Sequence, residues 1–118
     1  MKYLFILNDP PYGTERSYNG LRMAREMLKD PQTAGEVKVF LVGDAASCAR
    51  AGQKVPQGFY NVESLLLGVS SRGGQIGVCG TCMDARGLAD QDLAKGCTRG
   101  SMALAAEWVA WADKVVVF

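Results

Sequence analysis

The chain has 118 residues, of which 48% are hydrophobic, 21% charged and 8% aromatic, a composition that suits one globular domain with its own packed core and needs no disulfide or metal staple. Thirteen Lys and Arg against twelve Asp and Glu leave a formal net charge of +1, spread without long runs of one sign, which argues against a nucleic-acid platform. The absence of histidine removes the usual proton shuttle, Cys-His and Ser-His catalytic pairs and His-ligated metals, so any chemistry must come from other groups.

Residues 3–7 form a continuous apolar run stopped by Asn8-Asp9-Pro10-Pro11, as expected of a strand buried on both faces of a parallel sheet. The run is too short for a signal peptide or a membrane span, so the expected setting is the cytoplasm, with reduced thiols and no membrane partner. After the Tyr12-Gly13 turn, Leu21, Ala24 and Leu28 recur at helical spacing beside Met27, with Arg22, Arg25 and Lys29 between them. That helix ends near Asp30-Pro31. A second strand is predicted over 37–42, stopped by Gly43-Asp44, then a short helix over 45–51 and an exposed loop over 52–58.

Asn61 is placed to cap a helix whose apolar side is Leu65, Leu66, Leu67 and Val69, closed by Gly73-Gly74. A third strand over 75–78 ends at Cys79, and residues 80–100 read as a variable stretch with a short helix or two. Ser101 caps a last helix carrying Leu104, Trp108 and Trp111 on one face, and residues 115–118 supply a closing strand. Strands alternating with helices imply a single α/β domain over 1–118, in three layers, with a mainly parallel sheet flanked by helices on both faces. Sites in such sheets gather at the carboxyl ends of strands, which singles out residues 8–15 and 79–87.

Cys79-Gly80-Thr81-Cys82-Met83-Asp84-Ala85-Arg86-Gly87 is the most informative segment. A cysteine leaving a buried strand toward a helix start meets free backbone N–H groups that favour thiolate, and Arg86 would add positive charge if the turn folds it back. The plainer alternative is a buried core cysteine. Zinc would need a second cysteine pair, whereas Cys48 and Cys97 are single and distant. A thioredoxin-like dithiol suits the local context of Cys79 and Cys82, but the prolines lie at 10, 11, 31 and 56, leaving no proline loop after the motif. Neither glycine-rich phosphate motif is present. Asn8, Tyr12, Gly13 and Glu15 offer a rigid polar turn that could line a pocket with Cys79, Gly80 and Thr81; ordinary turn chemistry is the alternative. Cys48, Cys97, Trp108, Trp111 and the methionines read as packing residues.

Three segments together resemble the DsrE/DsrF-like sulfur-relay family, and within it the small YchN-type members. They are Pro11-Tyr12-Gly13-Thr14-Glu15, Gly52-Gln53-Lys54 with Gly58-Phe59-Tyr60-Asn61, and the Cys79 to Gly87 motif; the ending Ala112-Asp113-Lys114-Val115-Val116-Val117-Phe118 fits as well. The resemblance covers essentially the whole chain. It implies a three-layer fold with flavodoxin-like layering, assembled as a homo-oligomer such as a trimer or hexamer, with Cys79 near a subunit interface. It further implies that Cys79 accepts sulfane sulfur as a persulfide and hands it to a partner, with donor and acceptor proteins and no organic cofactor or metal. Cys82, found in a subset of the family, would be a resolving or modulating thiol.

Sulfur transfer needs a thiolate and a sheltered, approachable site, but no general base, so the lack of histidine is no obstacle. The expectation is thus a sulfurtransferase-type carrier. One rival is a redox dithiol cycling between Cys79 and Cys82; another is an oligomeric protein that binds a small ligand at the 8–15 turn without catalysis.

Overall fold

The apolar runs pair side by side. The computed structural model describes residues 1–33, 35–57 and 60–118. Among them, β1 (Lys2–Leu7), β2 (Glu36–Leu41), β3 (Gln75–Cys79), β4 (Cys97–Gly100) and β5 (Lys114–Val117) form one sheet in the order β4-β3-β2-β1-β5, with every neighbouring pair parallel. Parallel pairing requires a crossover after each strand. The chain winds outward from β1 to β4 and then returns to the far side of β1, a reversal that carries the last crossover to the opposite face.

Alternation along the strands divides the core in two. Phe5, Leu7, Val39, Leu41, Ile76 and Val78 face α1 (Arg16–Lys29) and α2 (Val62–Ser70), whose Leu21, Ala24, Leu65, Leu66 and Val69 close the larger cluster. Leu4, Phe40 and Cys79 face the other way, toward Trp108 of α4 (Met102–Trp111). Trp108 meets Phe40 edge to face, with ring centroids 6.1 Å apart. Gly77 makes room for it: a Cβ there would lie 3.1 Å from the Trp108 ring and 3.2 Å from that of Phe40.

The capping signals act where the sequence places them. The Asn61 side chain accepts from Ser64 N–H at 3.1 Å, and the Ser101 hydroxyl accepts from Leu104 N–H at 3.1 Å. Two stretches differ from expectation. The predicted helix over 45–51 is a 3-10 segment, Gly43–Ala49. Side chains three apart eclipse in that geometry, and Ala45 over Cys48 and Ala46 over Ala49 give a face small enough to bury. The stretch over 80–100 contains α3 (Gly80–Ala85) and a 3-10 turn, Asp90–Asp92, but also β4, for which no strand was predicted. Of the four β4 residues only Cys97 is buried, so the strand has no apolar run to announce it. Gly58 and Phe59 of the middle-loop motif lie outside the described residues. Among the described residues no helix is long and apolar enough to cross a membrane.

Trp108 is 7% exposed and joins α4 to the sheet. Trp108→Ala is therefore expected to lower the unfolding free energy by about 3 kcal/mol, read as an earlier urea midpoint with an unchanged slope.

Candidate functional site

Cys79 ends β3 and is also the residue that caps the start of α3. No loop intervenes, so its thiol sits at the carboxyl end of a central parallel strand and beside the first N–H groups of a helix. The side chain is only 2% exposed. Its sulfur accepts from the Cys82 backbone N–H at 3.4 Å, lies 3.3 Å from the Thr81 hydroxyl, and accepts from the Cys82 thiol with 2.7 Å between the sulfurs. Cys82 in turn accepts from the backbone N–H of Gly43 at 3.2 Å, just beyond the end of β2. The two thiols thus bridge the ends of neighbouring strands.

These contacts separate the two acidities. Burial pushes the Cys79 thiol up, but the hydrogen bonds from Cys82, Thr81 and the turn N–H groups outweigh it and hold its pKa below the ordinary thiol value. Cys82 moves the other way. Burial and its bond to the Cys79 sulfur raise its pKa, while the Gly43 N–H and the Arg86 charge act against the rise. Cys79 is therefore the more acidic thiol of the pair and Cys82 the hydrogen-bond donor to it. Cys48 and Cys97 lie deeper, and burial, which at Cys48 outweighs a hydrogen bond from Ser17, pushes each up to about 12. All four cysteines are free thiols.

A cavity of about 280 Å³ opens beside Cys79, between Gly80 and Thr81 on one side and Arg99, Gly100, Ser101 and Met102 on the other. Arg99 holds that wall. Its guanidinium donates to the Gly80 carbonyl at 3.1 Å, to Asp84 at 3.1 Å and to Asp90. Glycine at position 80 leaves room for this, since a Cβ would lie 2.9 Å from the Arg99 Nη1 and 3.0 Å from the Gly100 carbonyl oxygen and would displace the guanidinium. Sequence reasoning singled out neither Arg99 nor the 100–102 wall. Recognising β4 would have exposed them, since they leave the carboxyl end of that strand.

The remaining candidates are dispersed. Arg86 folds back, but onto Cys82: it donates to the Cys82 carbonyl at 3.1 Å and to Asp44 at 2.7 and 3.1 Å, and it makes no hydrogen bond to Cys79. Tyr12 donates to Gln53 at 2.6 Å and accepts from Val62 N–H at 3.2 Å, fastening the middle loop. Gly13 sits in the turn after it, and Glu15 precedes α1, its carbonyl accepting from Asn19 N–H at 2.8 Å. Asn8 donates to the Phe118 carbonyl at 3.0 Å and lines a separate open cavity with Arg16, Val117 and Phe118, where β1 and β5 adjoin. The structure therefore brings Gly80 and Thr81 to Cys79 but not the 8–15 turn. Among the described residues no three His, Cys, Asp or Glu side chains are grouped as a metal ion would need.

The model of the DsrE/DsrF-like family matches residues 1–118. Protein YchN of Escherichia coli strain K12 is 32% identical over 117 residues, covering 99% of this chain and 98% of that protein. An uncharacterised protein of Methanocaldococcus jannaschii is 35% identical over 118 residues and the full length of both. The crystal structure of the E. coli ychN protein superposes with a TM-score of 0.90, at 31% identity, covering 100% of this chain and 99% of that one. With its parallel sheet, its helical layers and its whole length matched, the chain belongs to the DsrE/DsrF-like family.

Proposed function

We propose that the chain is a sulfur carrier: Cys79 accepts sulfane sulfur as a persulfide and passes it to a partner protein. The observation that carries this reading is a buried Cys79, its sulfur hydrogen-bonded by Cys82 and Thr81 in a way that lowers its pKa, at the wall of a cavity with room for a sulfur-bearing group. The thiolate attacks the donor's sulfane sulfur and expels the donor's own low-pKa leaving group, so no imidazole is needed. Membership of the DsrE/DsrF-like family agrees with this role. The reading assigns Thr81 and the turn N–H groups to stabilising the thiolate, Arg99 to holding the cavity wall, and the cytoplasm as the compartment that keeps the thiols reduced.

A second reading, a redox dithiol, is favoured by one observation, the 2.7 Å separation of the two sulfurs. It differs in outcome. With Cys82 replaced by Ser, a carrier still gains the mass of a sulfur atom, whereas a redox dithiol can no longer close its disulfide.

We also propose that the carrier assembles with copies of itself, as a trimer or hexamer. Among the described residues α4 is the helix that covers its face of the sheet, and the apolar surface there remains open: Met102, Val109, Val115 and Val117 are exposed. Met102 also lines the cavity, so a second copy seated there would shelter a persulfide from water and stray thiols.

Intact-mass spectrometry of Cys82→Ser after incubation with thiosulfate or polysulfide is expected to show one added sulfur, reversed by reductant and absent when Cys79 is also replaced by Ser. Unchanged loading of that double variant overturns the carrier reading. Loading should rise with pH through the lowered Cys79 pKa, with a midpoint below that of an ordinary thiol, whose pKa is about 8.5. Thr81→Ala removes one donor, moves that profile to higher pH and slows loading at neutral pH about two- to threefold, since the higher nucleophilicity of a less acidic thiol offsets part of the loss. Val109→Arg should reduce the sedimenting mass from an oligomer to a monomer with unchanged circular dichroism; a wild-type chain that sediments as a monomer refutes self-assembly.

A further inference from the structure

Cys82 lies 2.7 Å from Cys79 but does not line the cavity, which touches Cys79, Gly80 and Thr81 on its near side. On its other side Cys82 is tied to the Gly43 N–H. Cys79 therefore borders both the cavity, which Cys82 does not line, and the second thiol. An outer sulfur carried by Cys79 has space on the cavity side, and that leaves Cys82 behind the bond joining the outer sulfur to Cys79. Thiol–disulfide exchange proceeds when the attacking and leaving sulfurs stand on opposite sides of the sulfur attacked.

We infer that Cys82 discharges the Cys79 persulfide within the chain, so that the protein reduces sulfane sulfur to sulfide and an external thiol resets it. This rests on the carrier reading above. The Cys82 thiolate attacks the Cys79 Sγ, the bond from that Sγ to the outer sulfur breaks, and the outer sulfur leaves with the electron pair as hydrosulfide. The Cys82 proton ends on the departing sulfur, which is why it leaves as hydrosulfide. A Cys79–Cys82 disulfide forms, so the sulfane sulfur gains two electrons and the two thiols lose two. Two equivalents of a small thiol, or one dithiol, then reduce the disulfide and are themselves oxidised to a disulfide.

The distances suit the step. The sulfurs need only a short closing movement to reach the roughly 2.05 Å of a disulfide bond, within the first turn of α3. Loading also alters the surroundings of Cys82 in the required sense. Burial, the first cause of the raised Cys82 pKa, stays, but the bond to the Cys79 sulfur, the second, is lost once that sulfur carries an outer sulfur and the negative charge moves one atom further away. The Gly43 N–H and Arg86, which favour the Cys82 thiolate, remain in place. The resolving thiol is thus easier to deprotonate on the loaded protein than on the empty one.

The test compares the full-length wild type with Cys82→Ser, whose hydroxyl keeps a donor toward Cys79. Both are incubated without oxygen or added thiol, with thiosulfate and separately with polysulfide, and followed by intact mass, peptide mapping and sulfide assay. The wild type is expected to release sulfide beyond a protein-free control, one per chain, and to end two hydrogens lighter with Cys79 joined to Cys82. Cys82→Ser is expected to accept the added sulfur and to hold it, with sulfide release per loaded chain slowed about 100-fold or more, as loss of an intramolecular nucleophile demands. Equal sulfide release, or an equally long-lived persulfide, in the two proteins overturns the internal discharge and leaves the carrier reading standing. Failure of both donors to load Cys79 in either protein overturns the carrier reading, and the discharge with it.

Discussion

The site depends on the pairing of β3 with β4, in which Cys79 stands opposite Gly100. Cys79 is the last residue of one element and the start of the next, so the sheet alone sets where its thiol points. The same register delivers Gly100, Ser101 and Met102 to the far side of the cavity. Ser101 then caps α4, and seven residues later Trp108 seats against Gly77, two residues before Cys79. Wall, helix and thiol are therefore joined in a closed circuit. A slip of one residue in β3 would turn Cys79 toward α1 and α2 and leave the cavity without a nucleophile.

Within that circuit the chemistry comes from short-range hydrogen bonds and not from formal charge. Arg86 and Arg99 both approach the motif, yet Asp44 takes up the first, Asp84 and Asp90 the second, and both grip backbone carbonyls, Cys82 and Gly80 respectively. Each acts as a brace. The difference between the two thiols follows from direction: Cys79 receives donors, whereas Cys82 gives its proton to Cys79 while receiving one from Gly43. Two chemically identical groups in one helical turn are thereby prepared for different tasks without a histidine anywhere in the chain.

Much of this was legible in the residue order. Residues buried on both faces of the sheet appear as unbroken apolar runs, which is why β1, β2 and β3 could be read directly, and the caps at Asn61 and Ser101 marked two helix starts. β4 could not be read in that way. Its Thr98 and Arg99 are exposed at the sheet edge, and it is held by backbone pairing with β3, which leaves no periodic trace. With β4 went Arg99 and the cavity wall. The Cys79 and Cys82 pair was visible as spacing, but which arginine serves which sulfur depends on Asp44, brought from the 3-10 segment after β2, and no local pattern encodes that. The 8–15 turn was legible as a turn; its partners Gln53 and Val62, from the middle loop and α2, direct Tyr12 away from the thiols.

Both tryptophans of the chain lie on α4, and the Lys38 ammonium sits 5.2 Å from the Trp108 ring centre and 4.0 Å from that of Trp111. The intrinsic tryptophan emission of the protein is consequently a local signal. It reports on the docking of α4 and the neighbouring lysine, and it is blind to the α1 and α2 side, where the larger core and the tyrosine stack of Tyr18 on Tyr60 reside. Tryptophan and tyrosine spectroscopy on this molecule therefore observe opposite faces of one sheet. A ligand or subunit that engages only one face can be assigned to it by colour alone.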